Sequence, residues 1–288
     1  MFRKIIIAAC LPVLCAAAST AAIVTVPAKS GPESITIAPN GDLILGSTGS
    51  AKIYRSKQGS GKAEVFIDAG TEGAVYFLGV LADATTNTLW ACQIYASPTE
   101  GQEHSALRGF DLKTGGAKFR WELPGKANLC NDFVIGPDKA LYISDTFGAK
   151  IWRLKAGAAV PEMFSDDRTL LGIDGITFVG DTLYENNVIF NKLYRVPVDA
   201  NGKAGKPVDI WLNKPIKGPD AMRAANGKLF LSENEAGKID MVTVSGDTAS
   251  VTVLKEGLKV PTAIEPAGGA LWYNELEADR ALSMPLPK

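Results

Sequence analysis

Histidine is almost missing from this chain: 288 residues carry one, His104. That scarcity excludes a multi-histidine zinc site and any pair of cooperating histidines, and a Ser-His-Asp triad would have to use His104. An excess of charge of either sign is missing too, with 30 Lys and Arg against 31 Asp and Glu. No basic stripe runs through the sequence, so nucleic acid and anionic membrane surfaces are poor partners. There is no Gly-X-Y period and no sustained helical patterning, which sets aside collagen and the helical repeat folds. What the chain does have is a 46% hydrophobic content, enough for a sizeable core, and 29 Gly with 16 Pro to punctuate many short strands.

Cysteine is scarce as well, at four residues, and two of them fall in an apparent leader. Arg3 and Lys4 give a positive start, Ile5 to Ala18 is apolar, and small residues run from Ala16 to Ala22. This is the layout of a secretory signal peptide cut after Ala18 or Ala22. We read 1–22 as that peptide and 23–288 as the mature domain, exported to the periplasm or beyond. The apolar run is too short for a membrane span. Ile7-Ala8-Ala9-Cys10 has the outline of a lipoprotein box, but only Ile5 and Ile6 lie between it and the positive start. Removing 1–22 leaves 28 basic against 31 acidic residues. It also leaves Cys92 and Cys130, which are either two buried thiols or one disulfide in an oxidising compartment.

The mature chain repeats itself. Glu33-Ser34-Ile35-Thr36-Ile37 leads through Pro39-Asn40-Gly41-Asp42 into a second apolar run, Leu43-Ile44-Leu45. Related segments begin at Asn131, Asp174, Asp220 and Thr262, and a weaker one at Phe77. The spacings are 44, 54, 43, 46 and 42 residues. Third runs follow, as in Lys52-Ile53-Tyr54-Arg55 and Lys150-Ile151-Trp152-Arg153, and most copies have a fourth. Four short strands every forty-odd residues is the period of a β-propeller blade, and six copies predict an all-β, six-bladed propeller. The last copy has room for three strands. Ile23-Val24-Thr25-Val26, the start of the mature chain, would supply its fourth and close the ring. The long spacing after Phe77 marks a surface-loop insertion near Ala96 to Ser105. Tyr142, Tyr184, Phe230 and Trp272 share one register and read as blade core.

Equivalent positions in a propeller form a ring about the channel. Here the ring is Glu33, Phe77, Asn131, Asp174, Asp220 and Thr262. Glu33, Asn131, Asp174 and Asp220 offer hard oxygen donors, and three anions on one channel repel unless a cation or protons compensate them. Without histidine or thiolate, the set suits one divalent cation, Ca²⁺ first, with Mg²⁺, Mn²⁺ or Zn²⁺ as alternatives. Each residue alone could instead cap a strand start. Asp145, Glu185, Glu233, Asn274 and Glu275 end the second strands and either stand behind the ring or cap turns at its rim. His104 reads as a surface residue of the insertion.

The order and spacing of Pro32-Glu33-Ser34, Asn131-Asp132, Ile173-Asp174-Gly175-Ile176 and Pro219-Asp220-Ala221-Met222 resemble the SMP-30/gluconolactonase/LRE-like family, over about 30–288. The resemblance implies a six-bladed propeller with one divalent metal in the channel. It implies metal ligands at Glu33, Asp174 and Asp220, a general base at Asp220, and substrate contact near the metal at Asn131. This chain departs from that pattern. Asp174 stands where the family commonly has Asn. Leu129 stands where an Arg often grips sugar hydroxyls, and Phe133 replaces the Gly of Asn-Asp-Gly.

The expected activity is a secreted, metal-dependent hydrolysis of lactones or related esters by a monomer acting on small molecules. Phe77, Leu129 and Phe133 would make one side of the cavity apolar, unless they belong to the core between blades. Two alternatives stand beside it: a non-catalytic ligand- or protein-binding propeller with a structural metal, and chemistry like that of the strictosidine-synthase relatives.

Overall fold

Each repeat turns back on itself where left-handed backbone is tolerated. Asn226 and Gly227 take φ of 53° and 72°, both positive, as a two-residue hairpin whose twist matches its strands requires. They join Pro219–Ala225 to Lys228–Glu233. Such hairpins build the computed structural model, which describes residues 21–70, 73–96 and 103–288. The proposed signal segment 1–22 lies outside these residues except for its last two. No helix among the described residues is long and apolar enough to cross a membrane.

Six sheets result, each antiparallel in its first strands. Blade 1 runs Pro32–Ile37, Leu43–Ser47, Lys52–Ser56 and Glu64–Asp68. Blade 2 runs Ala74–Asp83, Thr88–Ala96, Glu103–Asp111 and Ala117–Glu122. Blade 3 runs Cys130–Ile135, Leu141–Asp145, Lys150–Leu154 and Glu162–Ser165. Blade 4 runs Ile173–Val179, Thr182–Asn187, Lys192–Val196 and a short Val208–Asp209. Blade 5 adds Lys238–Ser245 and Thr248–Glu256 to its first hairpin. Blade 6 holds Ile264–Ala267, Ala270–Glu275 and Arg280–Pro285. First strands of successive blades pack on one another right round the ring, which makes the molecule the six-bladed propeller expected.

Closure follows the expected route. Ile23–Thr25 pairs antiparallel with blade 6, Val24 opposite Ala281. Asp279 then accepts backbone hydrogen bonds from Lys29 and Gly31, at 2.7 and 2.9 Å. Six hydrophobic clusters fill the six interfaces between neighbouring blades. Tyr142, Tyr184, Phe230 and Trp272 pack in or against them. Two details differ from the expectation. Blade 5 gains a fifth strand, Trp211–Leu212, which pairs parallel to its outer edge. The two ends of the insertion in blade 2 are strand rather than loop, because the hairpin continues in register as far as Ala96 opposite Glu103. Residues 97–102 lie outside the described ones.

Cys92 and Cys130 are joined, with Cα atoms 5.2 Å apart. The bond staples the second strand of blade 2 to the first strand of blade 3, one residue before Asn131. A loop of this size restricts the unfolded chain by about 4 kcal/mol. We expect C92S/C130S to melt roughly 8–16 °C below the parent in a thermal scan; an unchanged melting temperature would rule out the staple as a stabilising element.

Candidate functional site

The ring positions are set by one repeated irregularity. The first strands of blades 1 to 5 each slip register against the second strand, between Pro32 and Ile35, Phe77 and Val80, Cys130 and Phe133, Ile173 and Ile176, and Pro219 and Met222. A bulge of this kind re-aims side chains. In blades 1, 3, 4 and 5 it carries Glu33-Ser34, Asn131-Asp132, Asp174-Gly175 and Asp220-Ala221. Thr262 holds the same register ahead of the first strand of blade 6.

A small polar residue of the second strand braces the bulges of blades 3 to 5 and the equivalent segment of blade 6. Ser144 Oγ accepts from the Asp132 backbone N–H at 2.8 Å. Asn186 accepts from Gly175 N–H at 2.8 Å and donates to the Asp220 carbonyl of blade 5 at 2.6 Å. Ser232 donates to the Ala221 carbonyl at 3.4 Å. Asn274 accepts from both Thr262 and Ala263 N–H, and donates to the Pro32 carbonyl of blade 1. The two asparagines therefore hold neighbouring blades together at the ring. Gly175 is needed for that fit, since a Cβ there would stand 2.3 Å from the Met222 nitrogen.

The register corrects one assignment. Phe77 aligns with Pro32, Cys130, Ile173 and Pro219, so the ring residue of blade 2 is Leu78. Phe77 and Phe133 are fully buried in the clusters between blades 1 and 2 and between blades 2 and 3. Neither ring reaches the channel, and the apolar wall expected of them is core. Leu129 is half-buried against the cluster between blades 2 and 3, and its N–H donates to Asp145 Oδ1 at 2.9 Å.

Glu33, Asn131, Asp174 and Asp220 are all buried and share one electrostatic field. Burial pushes the Glu33 carboxyl well above its usual range, helped by Asp174 and Asp132 and opposed by Arg223. Burial raises Asp174 strongly too, with Asp220 and Asp132 adding to it. Asp220 is raised by burial and then by Glu33. Hydrogen bonds moderate both aspartates: Asn131 Nδ2 donates to Asp174 Oδ2 at 3.0 Å, and Asn234 Nδ2 to Asp220 Oδ2 at 2.7 Å. Asn131 Nδ2 also donates to Thr146 Oγ1 at 3.0 Å. Both its hydrogens are thus committed, and Oδ1 is its remaining acceptor. The Thr262 hydroxyl is spent on the Glu33 carbonyl and Asn274.

Several charged residues of the channel escaped the sequence reading. Arg223 of blade 5 forms a two-pronged pair with Asp132 of blade 3, at 2.6 and 2.8 Å. It also reaches Glu265 of blade 6 at 3.2 Å. All three are largely buried. The clamp spans the channel past blade 4 and ties the bulge holding Asn131 to the strand holding Asp220. Arg223 and Glu265 occupy one repeat register on neighbouring blades, and Asp132 stands where blades 2, 4, 5 and 6 have Gly or Ala. Opposite charge at matched register was the available signal. Glu185, which the sequence reading set among the strand-end residues behind the ring, is anomalous in another way. It sits where other blades place Leu45, Ala91, Ile143, Leu231 and Tyr273, fully buried, with neither carboxyl oxygen partnered. Burial raises it strongly, and Asp174 adds to the effect.

The remaining strand-end residues cap turns. Asp145 accepts from Leu129 and Gly148 N–H, Glu233 from Lys217 N–H, and Glu275 from Lys259 N–H. They are buried rather than solvated at a rim. His104 stacks on Tyr95 with ring centroids 5.7 Å apart, in the strand extension of blade 2.

A hard cation suits this donor chemistry. The set comprises three carboxylates in one field, an open Asn131 Oδ1, and a buried Glu33 Oε2 with no hydrogen-bond partner. Among the described residues, however, no three His, Cys, Asp or Glu side chains are gathered to hold a metal ion. The donors face a common volume without being drawn together.

No protein-family model matches the chain, and no curated protein sequence matches it. Solved structures do resemble it. Virginiamycin B lyase from Staphylococcus aureus shares 17% identity over 93% of this chain and 99% of its own, with a TM-score of 0.65. A calcium-binding regucalcin from Agrobacterium tumefaciens shares 20% identity over 88% and 89%, with a TM-score of 0.66. A protein described as a candidate gluconolactonase shares 15% over 93% and 94%, with a TM-score of 0.68. At these identities the likeness is one of fold, and it fits the resemblance drawn from the repeat motifs. The three names span a lyase, a calcium binder and a lactonase, so chemistry must be argued from the site.

Two outcomes follow. Removing Arg223 alone strands two buried carboxylates, so R223M should cost about 3–5 kcal/mol in urea unfolding, while D132N/R223M should lose less than the two single variants together. Additivity in that cycle would mean that the two side chains do not interact. The raised carboxyls also set a pH dependence. In the unfolded chain they titrate near 4, so the folded state carries no penalty below that pH. Stability is lost as pH rises through the folded values, which include Glu265 pushed up to about 7. Chelated protein should therefore melt at a lower temperature at about pH 8 than at about pH 5; the reverse slope would show the carboxyls to be compensated.

Proposed function

We propose that the chain is an exported, metal-dependent hydrolase of lactones or related esters. The observation carrying this reading is the placement of Glu33, Asp174, Asp220 and Asn131 at matched bulge positions of four blades around one channel. Glu33, Asp174, Asp220 and the Asn131 Oδ1 would hold the cation. When bound, a divalent cation polarises an ester carbonyl and compensates the carboxylates.

Asp220 is the general base. Its Oδ2 is oriented by Asn234 at 2.7 Å, which aims the carboxylate as a base. It takes that proton from the water that attacks the acyl carbon. As the bond from the acyl carbon to the alkoxy oxygen breaks, Asp220 returns the proton to the leaving alkoxide. The products are one carboxylic acid, which ionises and releases its second water-derived proton to solvent, and one alcohol, joined in a single molecule when the substrate is a lactone. Asn131 and the clamp of Arg223 with Asp132 keep the opposite wall in place.

Export by the leader 1–22 is part of this reading. The joined Cys92 and Cys130 support it, since such bonds persist in oxidising compartments. A second reading, a ligand-binding propeller without turnover, draws on the ungathered state of the donors.

The test is acid release from a lactone and ester panel in a pH-stat, on protein chelated and then reloaded with Ca²⁺, Mg²⁺, Mn²⁺ or Zn²⁺. We expect Ca²⁺ to restore turnover, and D220N to lose it by about 100-fold or more while still binding cation in calorimetry. No turnover with any metal would transfer the site to the binding reading.

A further inference from the structure

Three of the exposed large hydrophobic residues sit on two adjacent loops at the ring end of the channel: Phe147 at 52% exposure, Ile189 at 48% and Phe190 at 52%. The loops join the second and third strands of blades 3 and 4. Their position over the ring is fixed by hydrogen bonds. Asn131 binds Thr146, the residue before Phe147, at 3.0 Å. The Thr146 carbonyl accepts from Gly172 N–H, and the Gly172 carbonyl accepts from Val188 N–H, both at 2.9 Å. Asn187 Oδ1 accepts from Phe190 N–H at 2.9 Å. Thus Phe147 follows a contact of Asn131, while Ile189 and Phe190 follow the strand that backs Asp174.

The equivalent loops of blades 1 and 5 are Thr48-Gly49-Ser50 and Asn234-Glu235-Ala236, with no large apolar side chain. In the ring itself only Leu78 of blade 2, next to blade 3, is apolar, whereas Glu33, Asn131, Asp174, Asp220 and Thr262 are polar. A cavity of about 270 Å³ opens beside Phe147, lined also by Ala149 and Leu171 and by the charged Lys150, Asp166 and Arg168. Wet apolar side chains grouped at the mouth of a polar site mark a ligand surface rather than chance exposure.

We propose that Phe147, Ile189 and Phe190 form a recognition rim for the hydrocarbon or aromatic part of a small-molecule ligand. The substrate class of the site is then hydrophobic lactones and esters rather than sugar lactones. A polyhydroxylated ring against this rim would leave its hydroxyls without partners, which costs binding energy. An alkyl or aryl group there removes apolar surface from water on both sides. The substrate assignment rests on the hydrolase reading; the binding preference does not.

The experiment compares the parent protein with F147A/F190A, whose replaced side chains are half-exposed and leave the melting temperature as a check on folding. Calorimetric titration of chelated protein with γ-dodecalactone and with glucono-δ-lactone reads binding without turnover. We expect γ-dodecalactone to bind the parent more tightly, and the variant to bind it about tenfold more weakly. With metal restored, the kcat/KM preference for γ-dodecalactone over γ-caprolactone should fall about tenfold in the variant. Tighter binding of glucono-δ-lactone, or equal binding of γ-dodecalactone by both proteins, overturns the rim. Loss of γ-dodecalactone binding in the variant with no hydrolysis by the parent upholds the rim and refutes the hydrolase.

Discussion

Like charge confined in one buried channel is the constraint on which the rest of this molecule turns. Four blades deliver Glu33, Asp132, Asp174 and Asp220 to the same volume, and blade 6 adds Glu265. Each carboxyl meets a poor solvent and its neighbours' fields, and the fold compensates in three ways. Arg223 supplies a fixed positive charge through two carboxylates at once. Asn131 and Asn234 donate to Asp174 and Asp220. Burial and like charge raise the proton affinity of the carboxyls, so protons can meet what remains of the demand. A site arranged this way is poised to exchange protons for a cation, since either can meet the same electrostatic demand.

The scaffold around that channel is correspondingly overdetermined. The bulges and the equivalent segment of blade 6 are braced from behind by Ser144, Asn186, Ser232 and Asn274, and Asn186 and Asn274 reach across to the next blade. The bond between Cys92 and Cys130 fixes the residue just before Asn131. Such bracing matters because repulsion among the carboxyls would otherwise be relieved by letting the inner strands separate. Rigidity here answers stored electrostatic stress, and stability and site chemistry cannot be tuned independently.

Much of this was legible in the sequence, and the reason is periodicity. A forty-odd residue repeat states its own strand count, ring register and closure, so Glu33, Asn131, Asp174, Asp220 and Thr262 could be placed on one ring before any coordinates. The reading failed where the repeat is weakest. The blade 2 copy lacks a polar head, and alignment by hydrophobic pattern alone cannot tell Phe77 from Leu78 when both are apolar; only the bulge decides. Phe133 misled for a related reason, because the residue after a two-residue bulge points back into the core. Arg223, Asp132 and Glu265 were passed over because they lie far apart in the chain and meet only through the channel. Glu185 was grouped with the strand-end residues, although its register is one that the other blades fill with apolar residues.

The pairing of Ile23–Thr25 with the final blade carries a consequence for how this molecule comes into being. Val24 lies opposite Ala281, so residues from the two ends of the mature chain meet in one sheet. No blade order allows the ring to shut before the last strand has left the ribosome, and contacts of such long span are slow to form. The growing chain is therefore an open arc whose first and last sheets both present bare edges. Its acidic channel is meanwhile unfinished and wet, so the electrostatic strain described above is felt only at the final step. Shutting the circle and burying the charge are one event, and a cation available at that moment would act on assembly as well as on the finished protein.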